Sequence, residues 1–240
     1  MIDQRISQFK EQGSAFVYIL IAIALLAALT ASFMRPASQQ TTSQNTFNTI
    51  TELNSQINFI RTAIQECVLT YPAGDTGLIG VGGYNTPYPL NPTSAYFTPA
   101  PKSGAAPADT VRNIACPGNP GNSNDHAAIF GGTSGKFFPP EVNLFESWFY
   151  YNGLDGVFFA ARTDKTDAFL QTALSKLDNQ YSECEVDIID ASSALVELTS
   201  TAGVTELKCP AGNTCIRVWM ITNATAVYNG DTDGEEAACP

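Results

Sequence analysis

Few side chains in this sequence are of the types that do covalent or acid–base chemistry. The one histidine, His126, follows Asp125, with Ser123 close by. Gly121-Asn122-Ser123-Asn124-Asp125-His126 is not a nucleophile elbow, which needs G-x-S-x-G between a strand and a helix. Phe130-Gly131-Gly132-Thr133-Ser134-Gly135-Lys136 has some of the glycines of a phosphate loop. Lys136 is followed by Phe137, however, so the G-x-x-x-x-G-K-[ST] spacing is missing. No catalytic residue is expected, and the chain does not read as an enzyme.

Cysteines and acids are the remaining candidates. Cys67, Cys116, Cys184, Cys209, Cys215 and Cys239 form an even set with no C-x-x-C. His126 has no cysteine close to it in the sequence, which argues against a zinc site. Three disulfides in an oxidising compartment are the better expectation, and six cysteines allow 15 pairings. Cys209 and Cys215 are the pair suggested by closeness in sequence. Near the C-terminus, Asp231, Asp233 and Glu235 alternate around Gly234 in the style of a calcium loop. The full twelve-residue pattern is absent, so calcium is the one ligand to test and no other cofactor is expected. A solvated acidic end is the plainer reading. Asn223-Ala224-Thr225 fits a glycosylation sequon.

The 240 residues carry 23 Asp+Glu against 12 Lys+Arg, a net charge of −11. Phosphate neutralisation needs clustered Lys and Arg, so no nucleic-acid partner is expected. An acidic surface of this kind also does not favour anionic lipid.

The elements that must position these residues divide the chain. Residues 1–13 are polar and include Arg5 and Lys10. Residues 14–33, from Ser14 to Phe33, contain no charged side chain. As a helix, about 20 residues rise about 30 Å, the thickness of a bilayer core. The run is too long for the apolar part of a cleaved secretory signal, and Phe33-Met34-Arg35-Pro36 is a poor cleavage context. A single membrane-spanning segment is expected, with the C-terminal part outside the cytoplasm.

From Gln39 to Tyr71, Phe47, Ile50, Leu53, Ile57, Ile60, Ile64 and Val68 recur every three or four residues. They predict an amphipathic helix, with Gln44, Asn48, Glu52, Gln56 and Arg61 on the other face. Tyr71-Pro72-Ala73-Gly74 ends it. Residues 72–140 hold 11 of the 14 prolines and 11 of the 18 glycines, which predicts a loop-rich insertion with short strands, pinned through Cys116 and Cys67. Beyond it, 146–151 and 156–162 read as strands joined by the turn Asn152-Gly153-Leu154-Asp155-Gly156. Residues 167–180 read as a helix and 184–190 and 194–199 as strands. Residues 215–222 and 224–228 read as a last hairpin through Asn223. The predicted fold is α+β: a long N-terminal helix, apolar in its first half and amphipathic in its second, packed on a mostly antiparallel sheet.

The junction of Gly13 and Ser14, a short charged leader ending in glycine directly before an apolar run, resembles the class III signal of type IV pilins and pseudopilins. That resemblance implies cleavage by a prepilin peptidase between Gly13 and Ser14. It implies that Phe16, Tyr18, Leu20, Ile23, Leu26 and Leu29 lie first in the inner membrane and then in a filament core, among other pilin-like subunits. Pro36 matches the helix-bending proline of the family. Tyr18 stands where major pilins carry a glutamate, which points to a minor subunit of a type IV pilus or a type II secretion pseudopilus. The implied division is leader 1–13, transmembrane or core helix 14–35, amphipathic helix 36–71, insertion 72–140 and a β-rich part 141–240. An uncleaved single-pass envelope protein with an extracytoplasmic binding domain is the alternative.

Overall fold

The computed structural model describes residues 4–34, 36–74, 87–90, 110–118, 126–153, 156–182, 184–199 and 207–222. Two compact units divide the chain, Met1–Asn45 and Thr46–Pro240. The first holds helix α1, Gln4–Met34, and the opening turns of helix α2, Pro36–Thr70. Pro36 is helical in α2, and residue 35, where the expected bend would begin, lies outside the described residues.

The second unit is built on a four-stranded antiparallel sheet. Its strands are β3 (Phe149–Gly153), β4 (Gly156–Thr163), β5 (Val186–Ala191) and β8 (Asn213–Thr222), in the order β3-β4-β8-β5. The hairpin expected at Asn152–Gly156 joins β3 to β4, with Gly153 opposite Gly156. Gly156 has φ 140°, and a Cβ there would lie 2.5 Å from the Ile221 carbonyl oxygen. Backbone conformation and space both call for glycine at this position. The second predicted strand starts at Gly156 as read, whereas the first begins at Phe149 and not at 146.

Both faces of the sheet are covered, which explains the run Val157-Phe158-Phe159-Ala160-Ala161 in β4. In an extended strand successive side chains point to opposite faces. Val157, Phe159 and Ala161 join one core with Leu53, Ile57, Ile60 and Ile64 of α2. Leu170, Leu174 and Leu177 of helix α3 (Ala168–Asp178) complete that core. Phe158 and Ala160 join a second core with Phe149, Ile189, Leu198, Leu207 and Trp219. Helix α3 is shorter than the predicted 167–180, and Asp167 is its N-cap residue. Of the predicted strand 194–199 only β6, Val196–Glu197, forms, paired with β7, Lys208–Cys209.

The described parts of 72–140 belong to the core as much as to loops. Strand β1 (Ala115–Pro117) pairs antiparallel with β2 (His126–Ala128), and Leu90 bridges to Ala115. Leu90, Val111 and Ile114 are fully buried. Cys67 of α2 is bonded to Cys116 of β1, which fastens this region to the helix. Cys209 is bonded to Cys215, and Cys184 is also disulfide-bonded. Leu78–Tyr84, the hairpin expected across Asn223, and Cys239 lie outside the described residues.

An ion pair crosses the second core. Asp187 on β5 stands directly opposite Arg217 on β8, and both are buried. Arg217 Nη2 donates to Asp187 Oδ2, and Nη1 donates to the Leu198 carbonyl at 3.1 Å. The guanidinium lies 4.8 Å from the Trp219 ring centroid. Removing one partner leaves a buried charge. Arg217→Met is therefore expected to lower stability by about 3–5 kcal/mol, with much of the loss restored in Arg217→Met/Asp187→Leu. Urea unfolding of the two variants measures this. Equal losses would show that the uncompensated charge is not the cause.

Candidate assembly surface

The apolar residues expected to mediate assembly lie on α1. Its side chains are described from Ala15 to Ala31, and every one of them is exposed. Phe16 and Tyr18 are 69% and 70% exposed and Leu26 is 68% exposed; Leu20, Ile23 and Leu29 are exposed as well. The one hydroxyl in the second half of this stretch, Thr30 Oγ1, bonds to the Leu26 and Ala27 carbonyls at 3.0 Å each. It thereby satisfies itself within its own helix. A helix that is apolar on all sides gains nothing from water on any of them.

Ala15–Ala31 is 17 residues. Among the described residues no helix is long and apolar enough to cross a membrane. Gly13 and Ser14 fall within the backbone span of α1. Asp231, Asp233 and Glu235 lie outside the described residues, and among those described no group of three or more His, Cys, Asp or Glu could hold a metal ion. His126 opens β2 and is half-buried.

The second unit departs from the predicted helix faces at two places. Gln56, read as part of the polar face of α2, is buried. It accepts from Trp148 Nε1 at 2.7 Å through Oε1 and donates to the Pro140 carbonyl at 2.6 Å through Nε2. A buried amide is tolerated there because both ends have partners. Phe47, read as part of the apolar stripe, is 69% exposed, and Ile50 is half-buried. Burial becomes complete only at Leu53. Periodicity could not report either departure, since it encodes the angle around the helix and not what faces that angle at each level. The indole N–H of Trp148, which needs an acceptor when buried, is the one signal in the sequence that a polar partner had to reach the core.

Tyr150 is buried on β3. Its hydroxyl donates to the Pro89 carbonyl at 2.9 Å, and Asn152 Nδ2 donates to the same oxygen at 2.8 Å. Burial pushes the Tyr150 hydroxyl well above its ordinary range, nearby Tyr88 adds to the rise, and Asn152 offsets a part.

The chain matches no protein-family model, no curated protein and no solved structure. The functional reading therefore stands on the residues and their placement.

Two outcomes follow for this region. Gln56→Leu leaves the Trp148 N–H and the Pro140 carbonyl without partners and is expected to cost about 1–3 kcal/mol for each. A lower urea midpoint with unchanged slope would show it. Above pH about 10 the unfolded chain gives up the Tyr150 proton while the native chain keeps it, so stability falls as pH rises further. In Tyr150→Phe the decline of the melting temperature from pH 10 upward should be shallower than in the parent chain.

Proposed function

We propose that this chain is a pilin-like structural subunit, a minor component of a type IV pilus or of a type II secretion pseudopilus. The observation that carries the reading is α1, with its exposed apolar surface directly after the Gly13–Ser14 junction. On this reading a prepilin peptidase removes residues 1–13 on the cytoplasmic side. The uncharged run 14–33 then holds the protein in the inner membrane, with the disulfide-bonded second unit outside the cytoplasm.

Assembly draws the helix out of the bilayer into a bundle of like helices. The transfer is feasible because a helix satisfies its own backbone hydrogen bonds and exchanges lipid contacts for similar apolar contacts. The cysteine pairs agree with an oxidising compartment. Tyr18, in place of the glutamate of major pilins, favours a minor role. It equally suits an uncleaved single-pass envelope protein that presents the second unit as a binding domain.

N-terminal sequencing of the protein extracted from membranes of cells with active prepilin peptidase separates the two readings. A pilin-like subunit begins at Ser14, and Gly13→Ala remains untrimmed. An intact Met1, or trimming that persists in Gly13→Ala, overturns the proposal in favour of the anchored alternative.

A further inference from the structure

Beside α2, between residues 47–59 of the helix and the segment 137–140, runs a groove of about 500 Å³. Phe47, Phe59, Phe137, Pro139 and Pro140 form its apolar walls. Outside α1, only four large apolar side chains are exposed among the described residues: Phe47, Leu69, Phe137 and Leu195. Both aromatic ones border this groove, and Phe137 is 80% exposed. Such clustering marks an interaction surface more than scattered surface apolarity does.

The charge of the groove narrows the choice of occupant. Glu52 is its one charged lining residue. The cation nearest in sequence to the groove wall, Lys136, is already paired with Glu66. No ion pair engages Glu52 among the described residues. A second copy of this chain would bring a net charge of −11 against it. A partner with a basic residue among apolar ones satisfies the groove instead.

Length and hydrogen bonding narrow it further. Residues 47 to 59 of a helix span about 18 Å, room for about five or six extended residues. An extended proline-bearing segment leaves its carbonyls unpaired and docks well on aromatic walls. Asn48 and Ser55 line the groove with an amide and a hydroxyl that can donate to such carbonyls.

We infer that this groove is a docking site for an extended, proline-bearing segment of another protein, with its Lys or Arg against Glu52. The inference is independent of whether residues 1–13 are removed or a filament forms.

A photo-crosslinking phenylalanine analogue at position 137 in the full chain, expressed in its host, tests it, with the adduct mapped to the peptide level. The expected adduct is a peptide of another protein that contains proline and Lys or Arg. Its yield should fall about tenfold in Glu52→Lys and hold in Asn58→Lys, a change on the exposed surface of the same helix outside the groove. Melting temperatures equal to that of the parent chain would show that both variants are folded. Absence of an adduct, an adduct to lipid or to a second copy, a captured peptide lacking proline or a basic residue, or a yield indifferent to Glu52→Lys would each overturn the inference.

Discussion

Leu53, Ile57, Ile60 and Ile64 of α2 are each fully buried, and they meet the side chains that β4 and β8 present to the same core. Each such side chain contributes about 1.5–3 kcal/mol by leaving water. The contact also holds the sheet to one register. A slip of one residue in β4 would turn Val157, Phe159 and Ala161 away from α2 and bring Phe158 and Ala160 toward it. Helix α3 and the β1–β2 ribbon add to the same core, the ribbon through the Cys67–Cys116 bond as well.

The opposite face of the sheet is organised around a charge. Asp187 and Arg217 face each other across β5 and β8 within an apolar core, and the Leu198 carbonyl takes a further guanidinium N–H. Such a pair is a weak source of net stability, because desolvation offsets most of its attraction. It does penalise misregister, since any shift of β5 against β8 separates the two charges in a medium that does not solvate them. Gln56 does comparable work on the helix side, where Trp148 and Pro140 fix the height at which α2 sits on its core.

The two units solve the burial problem in different ways. In the second, alternation along strands and a stripe along α2 place apolar side chains inside. In the first, α1 has no polar face at all from Ala15 to Ala31, and its own fold supplies nothing to cover it. A proposal of membrane anchorage followed by bundling gives those side chains two successive apolar environments. The second unit does not depend on that helix for its core.

Much of this architecture is legible in the residues alone, wherever the deciding forces act over a few positions. The helical period from Leu53 to Ile64, the glycine-bearing turn before Gly156 and the short loop closed by Cys209 and Cys215 are local patterns. The uncharged run 14–33 is another, and the candidate assembly surface comes from it. The structure alone decided that Cys67 meets Cys116 across 49 residues, that Asp187 faces Arg217, that Gln56 is inside and that Phe47 is outside. Each depends on where a distant strand or segment crosses the helix. A helix repeats its faces every 3.6 residues regardless of what packs on them, so a sequence specifies which side chains share a side, and only the packed chain specifies which of them are covered.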